Sequence, residues 1–316
     1  MTTAPPRESA VVIGNFDGVH RGHQAVLATL HGYARERGLV PRVLTFEPHP
    51  ARTLGRTPPP LLTGLDRRIE LLERACPGVD VVAREFTAAF AEQSARAFVE
   101  DVLVGELAAR AVMVGQNFRF GRGREGGIDA LATFGRERGF EVLAEPLVTD
   151  ETGPISSTRI RERLAAGDLD GAAALLGRPH LVSGVVEHGH KRGRTIGFPT
   201  CNLRAIEEAL PPDGVYAVLI DVLTDGKPGV LGRGVANLGV RPTIAGENAR
   251  LLEIHLFDFE GDLYGARLRV HLVQRLREER KFDGLDALKA QIARDADDAR
   301  RTLASAVPKA TLGAWW

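Results

Sequence analysis

Two histidines three residues apart, His20 and His23, close the stretch VVIGNFDGVHRGHQ at residues 11–24. The apolar run reads as a strand ending at Gly14, Asn15 to Gly18 as a turn, and the histidines as the opening of a helix. Positions i and i+3 share a helix face, so both imidazoles point the same way. There they stand beside free backbone N–H groups and the positive end of the helix dipole, where an anion is stabilised. Gly22 between them lets a bulky anion approach the backbone. Phosphate chemistry is one reading. Half of a metal site is another, although no third ligand stands nearby and zinc needs three or four. A third is two polar side chains on a solvated helix start.

A second candidate is ISSTRIRE, residues 155–162, which reads as hydroxyl N-caps followed by a basic first turn. Ser156, Ser157 and Thr158 ahead of Glu162 fit simple capping. Arg159 early in a helix is electrostatically unfavourable, however, unless an anion shares the site. A third is GHKRGRTIGFPTCNL, residues 189–203, a loop of glycines and cations running into a strand. It offers N–H groups and charge to a polyphosphate, or it is a solvated basic hairpin. Further on, LEIHLFDF at 252–259 alternates, with Glu253, His255 and Phe257 on one face. A lone strand glutamate is ordinarily solvated.

The elements that must position these residues fall into two rhythms. Up to about residue 178, runs such as Val11–Ile13, Val40–Phe46, Val79–Ala83, Ala111–Val114 and Glu141–Ala144 alternate with helical patterns. Ile69, Leu72 and Cys76 form one such pattern, and Phe98, Val102 and Leu103 another. Regular alternation predicts right-handed crossovers and a doubly wound parallel sheet, an α/β fold. From about Leu181 short strands broken by Gly and Pro predict a compact antiparallel β-barrel. A closing helix follows, its stripe of Leu285, Leu288 and Ile292 packed on the barrel. The joint is expected near Gly177-Arg178-Pro179, giving domains 1–178 and 179–316.

Composition narrows the classes. The chain has 316 residues, 44% hydrophobic and 26% charged, with zero formal net charge, as in ordinary folded proteins. Nucleic acid is not an expected partner, because phosphate-backbone binding needs a surplus of Lys and Arg on some face. Cys76 and Cys201 are far apart and form no Cys-x-x-Cys pair, which argues against a disulfide framework or thiolate zinc site. The start MTTAPPRESA lacks an apolar export core, and no run approaches the roughly 20 apolar residues of a membrane span. A cytoplasmic protein without a membrane partner is expected. The Trp315-Trp316 pair carries no functional reading.

Taken together, these blocks resemble the bifunctional riboflavin kinase/FAD synthetase family of bacteria over about Val11 to Arg301. The first half is similar to nucleotidyltransferases: G-x-F-D-G-x-H-x-G-H is matched from Gly14 to His23, and S-S-T-x-I-R from Ser156 to Arg161. FEPHP at 46–50 and VGQNFRFG at 114–121 are further family-like blocks. The resemblance implies adenylyl transfer from ATP to FMN. His20 and His23 would hold charge near the α-phosphate, and Ser157, Thr158 and Arg159 the departing β- and γ-phosphates, with Gly14, Phe16 and Gly22 shaping the nucleotide site. Asn117 would contact the flavin or its ribityl chain; its turn preference gives an equally good structural reading.

The second half resembles riboflavin kinase, whose G-R-T-x-G-x-P-T-A-N segment is matched from Gly193 to Asn202 except that Cys201 replaces Ala. The resemblance implies that Gly193, Arg194, Thr195, Gly197 and Pro199 bind ATP, while Thr200 and Asn202 contact Mg²⁺ and phosphate. Strand alternation keeps Thr200 and Asn202 on one face and turns Cys201 away as a small hydrophobe. His190 stands where an acidic residue is expected, a change of loop charge. E-x-H-L-x-D-F-x-x-D-L-Y-G is matched from Glu253 to Gly265 and makes Glu253 the implied general base for the riboflavin 5′-hydroxyl. Arg277 is a candidate for a flavin-side flap or, equally, for a surface salt bridge. The implied activity phosphorylates riboflavin to FMN and adenylylates FMN to FAD, with ATP and Mg²⁺ at two separate sites.

Overall fold

The computed structural model describes residues 7–187, 198–242, 248–309 and 314–316. The chain divides into two compact units, Met1–Pro59 with Thr63–Ser157, and Pro60–Leu62 with Thr158–Trp316.

In the first unit β1 (Ser9–Ile13), β2 (Val40–Glu47), β3 (Asp80–Glu85), β4 (Ala109–Gly115) and β5 (Glu141–Glu145) form one sheet in the order β3-β2-β1-β4-β5. Every pairing is parallel. Side chains alternate across it. Val11, Ile13, Leu44, Val112 and Val114 enter one apolar layer; Ala10, Val12, Val43, Ala111 and Met113 enter the other. Because both faces are buried, the strands read as unbroken apolar runs, as expected for a doubly wound sheet.

Helix α1 (Arg21–Arg37) covers one face with Leu27 and Leu30, joined by α3 (Leu65–Ala75) with Leu71 and Leu72. Short helices α2 (Pro50–Thr53), α4 (Ala88–Ala91) and α5 (Ala95–Ala97) precede a stretch at Phe98–Glu106 that winds one residue wider than an α-helix. The expected helix at Phe98, Val102 and Leu103 is thus a π-helix, closed by Leu107 N–H bonding Val102 C=O at 2.9 Å. Helix α6 (Ile128–Arg138) leads to β5, and the two-residue strands β6 (Thr149–Asp150) and β7 (Gly153–Pro154) precede α7 (Ser157–Ala165).

The second unit takes in most of α7 and α8 (Leu169–Leu176), which ends on Gly177 in the left-handed region. Six strands close a barrel in the order β10-β11-β12-β9-β8-β13. They are β8 (His180–Glu187), β9 (Cys201–Arg204), β10 (Gly214–Thr224), β11 (Lys227–Pro242), β12 (Asn248–Leu256) and β13 (Arg267–Arg277). All pairings are antiparallel.

Helix α9 (Leu285–Leu303) packs against β10, β11 and β13, but not with the expected stripe. Ala296, Ala299 and Leu303 meet Val215, Ala217, Leu219 and Trp315, whereas Leu285 is exposed. Leu288 and Ile292 instead line a cleft. Trp315 closes this core, with Nε1–H donating to Ile220 C=O at 3.0 Å and N–H to Asp221 Oδ1 at 3.2 Å. The tryptophan pair is therefore partly a packing element.

Candidate active sites

At the carboxyl end of β1 the backbone takes a tight path. Phe16 and Val19 have φ of 51° and 37°, and Gly18 has φ of 84°. Non-glycine residues in this region are held there only by their surroundings, a pattern concentrated at functional sites. His20 then caps α1: its Nδ1 accepts the His23 N–H at 3.3 Å. A nitrogen that accepts carries no proton, so neutral His20 bears its hydrogen on Nε2. The two rings stack, centroids 3.6 Å apart and 17° from parallel. Phe16 leans on His23 at 5.0 Å.

The first turn of α1 holds no acidic residue, so no carboxylate side chain of that turn offsets the positive end of the helix. Gly22 has a packing use beside the one expected. A Cβ there would lie 3.1 Å from the His20 ring and 3.4 Å from the Ile155 carbonyl, so glycine makes room for the histidine. Ser157 reaches this turn through its Oγ, which donates to Asp17 C=O at 2.9 Å. Thr158 and Arg159 follow in the first turn of α7 and belong to the second unit.

Beside Gly14 opens a cleft of about 510 Å³ whose wall is aromatic: Phe46, Phe86, Phe90, Phe98, Phe118 and Phe120. Phe46, Phe86 and Phe90 meet in edge and tilted contacts of 5.5 to 6.0 Å, and Phe118 stacks on Phe120 at 5.5 Å. Asn117 lines the cleft and also sits in a turn closed by Phe118 N–H to Gly115 C=O at 2.9 Å. Both readings of Asn117 fit that position.

The sequence reading missed Arg68. It is 1% exposed and bonds Glu47 at 2.6 Å and Asn15 C=O at 3.2 Å, tying the β1 turn to the FEPHP block. The signal was present: Arg67 and Arg68 lie in the first turn of α3, the same unfavourable placement that marks Arg159.

In the barrel, register gathers the second set. Glu253 lies directly opposite Asn202 of β9 and Asn237 of β11, so three polar side chains form a row across three strands on one face. Thr200, Asn237, Glu253, His255, Arg277 and Glu279 line a cleft of about 310 Å³ that continues under α9. Cys201 pairs with Ile254 on the opposite face, as alternation requires. There it borders a separate cavity of about 450 Å³ with Thr200, Leu256 and Phe259. Burial pushes its thiol up to about 11.

Arg277 does form an ion pair, but an inward one. It grips Asp295, 4% exposed, through Nε at 3.0 Å and Nη2 at 2.7 Å. Gln291 Nε2 bonds the same carboxylate at 2.7 Å. Glu279 accepts from Asn237 Nδ2 at 3.1 Å on the far wall. Neither Asn237 nor Asp295 was singled out from the sequence, because their roles depend on cross-strand register and on the seating of α9. Pro199 lies beside Thr200 and lines the cavity of about 450 Å³, while Gly193, Arg194, Thr195 and Gly197 lie outside the described residues.

Thr200, Asn202 and Glu253 together offer a hydroxyl, an amide and a carboxylate, an oxygen-rich set that suits a hard cation such as Mg²⁺. Among the described residues no group of three or more His, Cys, Asp or Glu could hold a metal ion.

A parallel sheet with an anion-suited helix start, followed by a closed barrel with a carboxylate in a cleft, defines a two-unit enzyme of phosphoryl chemistry. The FAD synthetase family profile matches residues 2–159, and the riboflavin kinase profile residues 176–303. The bifunctional riboflavin kinase/FMN adenylyltransferase of Escherichia coli K12 is 43% identical, covering 95% of this chain and 94% of that one. The Bacillus subtilis protein so described is 37% identical over 93% and 92%. A solved structure described as a macrolide-efflux protein from Streptococcus pneumoniae has a TM-score of 0.81 at 33% identity, covering 94% of this chain and 95% of that one. The efflux description is said of the pneumococcal protein; in this chain, among the described residues, no helix is long and apolar enough to cross a membrane. The chain belongs to the bifunctional riboflavin kinase/FMN adenylyltransferase family.

Proposed function

We propose that residues 179–316 phosphorylate riboflavin to FMN and residues 1–178 adenylylate FMN to FAD, each at its own site with ATP as co-substrate. Family membership supports both reactions. The observation that carries the residue assignment is the row Asn202, Glu253, Asn237, because it sets one carboxylate between two amides, and Glu253 and Asn237 line the cleft.

In the kinase reaction Glu253 takes the proton of the riboflavin 5′-hydroxyl as that oxygen attacks the γ-phosphorus and ADP leaves. Thr200 and Asn202 would hold Mg²⁺ and phosphate, with Pro199 shaping the approach. Gly193, Arg194, Thr195 and Gly197 supply further phosphate contacts. Mg²⁺, when bound, neutralises charge on the transferring phosphoryl group. Arg277, fixed by Asp295, stands on the flavin side.

In the adenylyl transfer a phosphate oxygen of FMN attacks the α-phosphorus of ATP and pyrophosphate leaves. Positioning and charge dominate such a step. His20 and His23 stabilise the α-phosphate, Ser157, Thr158 and Arg159 the leaving pyrophosphate, and Gly14, Phe16 and Gly22 bind the nucleotide. Asn117 meets the flavin at the aromatic cleft. The free thiols Cys76 and Cys201 support a reducing, cytoplasmic setting.

The test is a time course of the purified chain with riboflavin, ATP and Mg²⁺, the flavins separated by chromatography. FMN should appear before FAD. FMN without FAD would remove the adenylyl assignment, and unchanged riboflavin the kinase assignment.

A further inference from the structure

Strands β9 and β12 pair over three residues only: Leu203 with Leu252, Asn202 with Glu253, and Cys201 with Ile254. The next partners in that register are Thr200 and His255, where the backbone pairing stops. A side chain continues the link. His255 Nδ1 lies 2.8 Å from the Pro199 carbonyl oxygen. A carbonyl only accepts, so Nδ1 carries the hydrogen, in the neutral Nδ1–H tautomer and in the imidazolium alike. The Pro199 carbonyl belongs to the Pro199–Thr200 peptide, so this bond ties that peptide to β12 just beyond the last backbone pair.

The imidazole is itself held. Phe198 meets it edge-on at 5.5 Å and Phe257 at 5.9 Å, and the Arg300 guanidinium of α9 covers Phe257 at 4.3 Å. His255 shares its face with Glu253 and lines the same cleft.

We propose that His255 is a positioning residue for riboflavin phosphorylation: its Nδ1–H anchors the Pro199–Thr200 peptide to β12 and so aims the Thr200 hydroxyl at Mg²⁺ and the ATP phosphates. This rests on the assignment of Thr200 made above. Asparagine places its Nδ2 near the position of histidine Nδ1, whereas glutamine reaches toward Nε2, so the two substitutions separate the donor that matters from a polar side chain in general.

The test uses the full chain with His255→Ala, His255→Gln, His255→Asn and Thr200→Ala. Two quantities are measured: the KM for ATP in FMN formation at saturating Mg²⁺, and amide hydrogen exchange of residues 200–203 without ligand. Loss of one hydrogen bond predicts about a fivefold rise in KM for the Ala and Gln variants, with kcat within about twofold. Exchange should quicken in that peptide alone. The Asn variant should restore both quantities, and FMN-to-FAD conversion should be unchanged throughout. The proposal is overturned if all three His255 variants match the wild type, if Asn is as impaired as Ala, or if exchange rises across the whole barrel. Thr200→Ala with an unchanged KM would instead sink the reading of Thr200, whatever the His255 variants do.

Discussion

Glu253 owes its place to β12, which sets it between two amides, and Cys201 owes its inertness to the same alternation running the other way. At the residue scale, Cys201→Ala should leave the rate of FMN formation within about twofold, since a small half-buried thiol acts as a hydrophobe. With Cys76 and Cys201 both near 11, each thiol is roughly one part in a thousand thiolate at pH 8. Alkylation by iodoacetamide in the folded chain should therefore be far slower than for free cysteine and should rise steeply toward pH 11. Fast labelling at pH 8 would contradict the burial described for both. The histidine pair, the hydroxyl helix start and Glu253 were legible because their types and spacing are local. Arg68, Asn237 and Asp295 were not read, because each acts through a partner 21, 42 or 18 residues away. For Asn237 and Asp295 that partner is Glu279 and Arg277, on the other wall of the cleft.

At the scale of elements, α8 shows how a helix end sets a pH dependence. Asp168 caps it by accepting the Gly171 N–H at 2.8 Å, and that bond, followed by Arg163, holds its carboxyl below the usual range. Depression of a carboxyl stabilises the fold above the unfolded pKa and is lost as pH falls through the folded one. Asp168→Ala should cost about 1 kcal/mol at pH 7, read as a lower urea midpoint, and progressively less on acidification below about pH 4.

His180, at the start of β8, is the opposite case in residue type. Burial lowers it to about 4, and its Nε2–H donates to Ala209 C=O at 2.7 Å. The unfolded chain takes up its proton first, so stability should fall as pH drops from about 6.5 toward about 4. His180→Phe should flatten that part of the urea-midpoint profile, and an unchanged slope would refute the assignment. The class of sheet in both units, parallel and doubly wound in one and an antiparallel barrel in the other, was within reach of the sequence, because strand–helix alternation and short alternating strands are local patterns; the strand orders were not. The π-helix at Phe98–Glu106 and the true packing face of α9 were not. Apolar spacing does not distinguish a five-residue from a four-residue hydrogen bond, and the seat of α9 is chosen by Trp315 and small alanines.

At the scale of the molecule, each unit carries its own core: two apolar layers around a parallel sheet in one, a barrel capped by α9 in the other. Separate cores allow one chemistry to be removed while the other persists. The most direct measurement compares Glu253→Gln and His23→Ala in the full chain, each shown to be folded, with riboflavin or FMN supplied beside ATP and Mg²⁺. Glu253→Gln should slow FMN formation by about 10²–10⁴-fold while converting supplied FMN to FAD at the wild-type rate. His23→Ala should accumulate FMN and make little FAD. Loss of both activities from either folded variant would contradict two independent sites.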